Sequence, residues 1–89
     1  MDPELAEIVT FLNNSRVRAT YGAVAEILGV VPRSMGARLG PRHIEASWIV
    51  SAATGLPTGY SPAEMHPDLR PSSPLIRTGD DLRERMQRR

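Results

Sequence analysis

The chain has 89 residues, 40% of them hydrophobic, a formal net charge of +1 and no cysteine. That length supports one domain with one modest core, and the absence of cysteine excludes a disulfide framework, a thiolate nucleophile and a cysteine-rich zinc site. No apolar run approaches the roughly 20 residues of a membrane helix, and the acidic start, MDPELAEI, is unlike a basic secretory signal, so mature cytoplasmic structure is expected, nucleoid-associated in a prokaryote.

Asp2 followed by Pro3 marks a helix start, with the aspartate as cap and the proline in the first turn. Leu5, Ile8, Val9 and Leu12 share one face at helical spacing, and Asn13, Asn14 and Ser15 end the run. Thr20 is the cap of a second helix whose Val24, Ile27 and Leu28 face inward and whose left-handed stop is Gly29. Pro32 opens a third helix, RSMGARL, closed by Gly40 and Pro41.

After Pro41 the pattern changes. IEASWIVSAA, residues 44 to 53, carries Ile44, Trp48, Ile49 and Val50 and reads as a strand ending in a turn at Thr54 and Gly55, with LPTGY as a return strand or a loop. Prolines 62, 67, 71 and 74 make residues 61–77 irregular, apart from one helical turn from Pro62 to Met65. Thr78 and Asp81 form a variant capping box for a last helix over 78–88, with Leu82 and Met86 one turn apart.

Charge is unevenly distributed. Residues 1 to 12 hold Asp2, Glu4 and Glu7 and no base, whereas residues 16 to 42 hold Arg16, Arg18, Arg33, Arg38 and Arg42 against Glu26 alone. Three helices followed by a β-hairpin give a mainly α fold with the order of a winged helix-turn-helix, in which the third helix enters the major groove and the wing lies on the backbone. A positive second and third helix suits phosphate, with an acidic first helix on the opposite side.

The residues themselves add a resemblance. TYGAVAEILG resembles the TYGxVA segment of the C-terminal DNA-binding domain of alkylguanine-DNA alkyltransferases, and RSMGARL resembles that family's RAVGxAL. ASWIVSAATGLPTGY aligns without a gap on the signature PCHRVV and the wing after it, so that Gly55 and Tyr60 fall on the family's glycine and tyrosine. The resemblance covers roughly residues 18 to 60. It implies that Tyr21 presses on the phosphate beside a target nucleotide and that Arg33 is the finger inserted into the duplex. Anchoring the alignment at Met35 and Gly36 gives that assignment; anchoring it at the proline-arginine pair puts Gly36 in the finger position instead.

Ser47 then stands where the family has its reactive cysteine, Trp48 where it has the activating histidine, and Ile49 where it has the next arginine. A serine beside a tryptophan has no base to take its proton, so no alkyl transfer is expected, as in the alkyltransferase-like branch of the family. The implied function is non-enzymatic recognition of alkylated guanine in double-stranded DNA by nucleotide flipping, flagging it for a repair-protein partner. The site set is Arg16, Arg18, Thr20, Tyr21, Arg33, Ser34, Arg38 and Arg42 on DNA, with Ser47, Trp48 and Tyr60 around the base.

Other readings stand beside this one. Trp48, one of four aromatics, reads first as core. Tyr21 can simply pack over its helix end. His43 and His66 are too few for a metal site, no cofactor is expected, and no nucleophile elbow surrounds Ser47. Arginines 83, 85, 88 and 89 read as solvated complements of the last helix dipole. A monomer is expected. The rival functions are a winged-helix transcription regulator, with Arg38 on guanine edges, and a protein-interaction module.

Overall fold

The computed structural model describes residues 2–40 and 44–88; Pro41, Arg42, His43 and Arg89 lie outside that set, and with them the phosphate role expected of Arg42. Helix α1, Pro3–Ser15, buries Leu5, Ile8, Val9, Phe11 and Leu12. Asp2 occupies its cap position without a side-chain capping bond. Its carboxylate instead meets Arg38 Nη1 at 3.2 Å, so the acidic start of the chain touches the basic third helix rather than standing opposite it. At the other end Arg16 closes α1 in the left-handed conformation, φ 57°. Its guanidinium donates to Asn13 O and pairs with Asp68.

A strand that the sequence pattern does not announce follows immediately. β1, Arg18–Thr20, has all three residues buried, and it runs without a break into α2, Tyr21–Leu28. Thr20 caps α2 as expected, its Oγ1 accepting from Ala23 N at 3.0 Å, and Gly29 stops it at φ 70°. The buried face consists of Ala23, Val24 and Ala25, while Ile27 and Leu28 are half-buried. A 3-10 turn, Pro32–Ser34, leads into α3, Met35–Leu39, which ends at Gly40 and anchors itself through the fully buried Met35.

The expected strand over 44–53 is mostly absent. Ile44–Trp48 forms a 3-10 helix packed against α1, and only Ile49–Val50 is extended, as β2. Ala46, Ser47 and Trp48 are buried in succession, and the Ser47 hydroxyl donates back to Ile44 O at 2.6 Å, a bond across three residues that fits the helical turn. The return stretch 56–60 is loop, so no hairpin forms among the described residues. The sheet is instead three-stranded, in the order β2-β1-β3, with β3 at Leu75–Ile76 and both pairings parallel. Ala19 lies opposite both Ile49 and Ile76, in keeping with the burial of parallel strands on both faces.

Pro62–Glu64 makes the single turn expected there. Helix α4, Gly79–Gln87, is capped by Thr78 Oγ1 from Asp81 N at 3.1 Å and buries Leu82. Its first residue sits against α2, Gly79 N donating to Glu26 Oε1 at 2.7 Å. Arg83, Arg85 and Arg88 pair along the helix with Asp80, Asp81 and Glu84. The result is a compact, mostly helical small domain with a small three-stranded sheet. No helix among the described residues is long and apolar enough to cross a membrane.

Candidate nucleic-acid interface

The junction of β1 and α2 places Tyr21 at the first position of its helix, and the turn after Gly29 brings Pro32 and Arg33 back beside it. Together with Gly36 and Thr58 these residues line a cavity of about 310 Å³. Tyr21, Arg33 and Gly36, the residues that the resemblance singles out, therefore meet in one cleft. Thr58 is the member that the sequence pattern missed; its signal was the Pro57-Thr58-Gly59 turn, read only as a wing or loop.

The chemistry of the cleft is polar at two points. Thr58 N donates to Tyr21 Oη at 2.9 Å, so the phenol serves as acceptor and, among the described residues, its own proton has no acceptor. The exposed Arg33 makes no hydrogen bond or ion pair among the described residues. A phenolic donor beside an uncommitted guanidinium is suited to an anionic oxygen such as a phosphate's. Exposed Val31 and Leu56 stand beside these residues in sequence.

The remaining expected contacts divide by position. Arg16 and Arg38 are exposed and spend one donor each on Asp68 and Asp2; such surface pairs are worth little and exchange readily. Ser34 Oγ donates to Val31 O at 2.8 Å, closing its own turn. Thr20 is buried and serves as a cap.

Arg18 is corrected from a phosphate contact to an interior residue. It is buried, and its guanidinium donates to Gly55 O at 2.9 Å, to Pro71 O at 3.0 Å and to Ser73 O at 2.7 and 3.2 Å. The carbonyls solvate a charge that burial would otherwise make costly.

The region around Ser47 is closed. Ser47 is fully buried, donating to Ile44 O at 2.6 Å and accepting from His66 N at 2.9 Å. Trp48 is fully buried as well, its Nε1–H donating to Asn13 Oδ1 at 3.0 Å, with the His66 ring centroid 5.1 Å away. Trp48 is thus core, and neither residue faces an open pocket for a base. Tyr60 is half-buried. His66 Nδ1 accepts from Asp68 N at 3.0 Å, and among the described residues no three metal-ligating side chains cluster.

Comparison with protein-family models, with curated proteins and with solved structures finds no match.

Proposed function

We propose that the chain is a non-enzymatic DNA-binding domain of the winged-helix, alkyltransferase-like kind, gripping duplex DNA through the cleft of Tyr21 and Arg33. The observation that carries this reading is the cleft itself: one cavity joins a phenol held by Thr58 N–H to a guanidinium, and among the described residues neither the phenol's proton nor the guanidinium has a partner. Tyr21 donates to a backbone phosphate, Arg33 enters the groove or the duplex beside it, and exposed Arg16 and Arg38, with Arg42, add phosphate contacts. The ligand we propose is duplex DNA bearing an alkylated guanine, handed on to a repair protein. Ser47 supports the absence of alkyl transfer, since its hydroxyl proton is committed to Ile44 O and, among the described residues, no side-chain base accepts from it. An extruded base would have to sit in the Tyr21–Arg33 cleft, because the space beside Ser47 and Trp48 is filled.

That filling favours one second reading, a winged-helix regulator that reads sequence without flipping. The two separate in equilibrium binding to one short duplex with and without a single alkylated guanine, at two salt concentrations, with Tyr21→Ala as control. Salt-sensitive binding that tightens on the lesion and weakens in the variant supports damage recognition. Equal binding to both duplexes leaves the regulator, and no binding at low salt refutes both in favour of a protein-interaction module. Arg33→Ala should flatten the dependence of log K on log salt by about 1, as loss of one phosphate neutraliser does.

A further inference from the structure

Arg18 does not reach the surface, yet it is wired to the cleft. Its Nη1 donates to Gly55 O at 2.9 Å. Gly55 belongs to a stiff turn in which its own N–H donates to Ser51 O at 2.7 Å and Ser51 N to Leu56 O at 3.0 Å. Pro57, next in line, is buried, and Thr58 N then holds the Tyr21 hydroxyl at 2.9 Å. Tyr21 is also fixed from its backbone side, because Arg18 lies in the strand that runs directly into α2. Gly55 stands at φ 73°, and a Cβ there would lie 2.7 Å from Arg18 Nη1. The turn and the guanidinium are therefore fitted to each other with no room to spare.

We infer that Arg18 is a positioning residue: through the Gly55 carbonyl it sets the loop whose Thr58 N–H orients the Tyr21 hydroxyl toward the DNA backbone. The inference rests on the proposed DNA-binding reading for its consequence, though not for its geometry. Saturating the phenol's acceptor side with Thr58 N–H leaves the hydroxyl proton to point away from the loop and toward a ligand. When Arg18 releases Gly55, the loop shifts, the phenol loses its fixed direction, and phosphate contact weakens without any charge being lost from the interface.

The test is a cycle of Arg18→Lys, Tyr21→Phe and the double variant, titrated against one unmodified duplex over a salt series, with Arg33→Ala alongside. Lysine keeps the charge but lacks the planar fork that serves three carbonyls. The expected result is a loss of about fivefold for each single variant, the scale of one hydrogen bond, and no further loss in the double. The salt slope should stay at the wild-type value in Arg18→Lys and fall by about 1 only in Arg33→Ala. A merely structural Arg18 would multiply with Tyr21→Phe, and a direct phosphate contact would lower the slope; either outcome overturns the inference. Without DNA, the Thr58 amide resonance should move in Arg18→Lys, and an unmoved resonance refutes the relay. If Arg18→Lys does not fold, Gly55→Ala disturbs the turn directly, by straining its φ of 73° and crowding Arg18 Nη1, and in a cycle with Tyr21→Phe an affinity loss that multiplies rather than merges overturns the link from the turn to Tyr21. Absence of wild-type binding would refute the DNA reading alone, since the Thr58 amide still decides the relay.

Discussion

Replacing Gly79 with alanine measures how tightly α4 is seated on α2. A Cβ at residue 79 would stand 2.7 Å from Glu26 Cβ and 3.2 Å from Ala23 O, where ordinary contact begins at 3.4 Å. Neither neighbour is a flexible chain end, so α4 must retreat by about 0.7 Å, the difference between 2.7 and 3.4 Å. That retreat stretches the 2.7 Å bond from Gly79 N to Glu26 Oε1 to the edge of hydrogen bonding. Losing a charge-assisted bond at a part-buried site costs about 1–2 kcal/mol, and overpacking adds about 1 kcal/mol. Reduced freedom of the unfolded chain returns about 0.5–1 kcal/mol. The net loss is about 2 kcal/mol, or about 10 °C in Tm for a domain of this size, read by urea titration and thermal unfolding. An unchanged or raised midpoint would refute the close seating of the helix.

Three other substitutions have definite outcomes. Gly36→Ala is the counterpart of Gly79→Ala: nothing lies within 4 Å of a Cβ there and the residue is helical, so the unfolding free energy from urea titration should rise by about 0.5–1 kcal/mol. Arg16 holds a left-handed conformation, so Arg16→Gly should be more stable than Arg16→Ala by about 1 kcal/mol in the same assay, both having lost the Asp68 pair. Trp48→Phe leaves the half-buried Asn13 Oδ1 without its 3.0 Å donor and opens space in the core where the indole was, and should cost about 2 kcal/mol by urea titration. Because Trp48 faces no open cleft, the surviving folded protein should bind duplex DNA with wild-type affinity; a weakened affinity would restore Trp48 to the interface.

Local signals were legible at several boundaries that one residue dictates, though Asp2 spends its carboxylate on Arg38 rather than on capping α1. Thr20 and Thr78 cap their helices and Gly29 ends one, because capping is chemistry between residues three or four apart. The inward stripe of α1 was legible for the same reason. The sheet was not, since strands of two and three residues are too short for alternation to register, and their partners lie far along the chain. Residues 44–48 include Ile44 and Trp48 yet curl into a 3-10 helix, in which Ser47 bonds back to Ile44 O and meets His66 N while Trp48 lies beside the His66 ring, contacts that no local pattern announces. Arg18 read as a surface cation because nothing in its neighbourhood announces three carbonyls supplied by residues 55, 71 and 73. In the cleft, Tyr21 and Arg33 were legible through motif resemblance, whereas Thr58 depended on where the loop folds back.

The sheet order has a consequence for how the chain acquires its structure. Its central strand comes early, but one neighbour is Leu75–Ile76, and the carbonyl of Ser73 that solvates Arg18 lies 55 residues downstream. Pairings so distant in sequence close slowly, because the loop must be ordered before any contact offsets its entropy. During synthesis β1 stays half-paired and the Arg18 charge stays outside the interior until residues 71–76 have emerged. Folding of this domain is therefore completed late and from its C-terminal side, and a chain cut at residue 70 should lack β3 and the Pro71 and Ser73 carbonyls that hold Arg18, leaving β1 with β2 as its one partner strand.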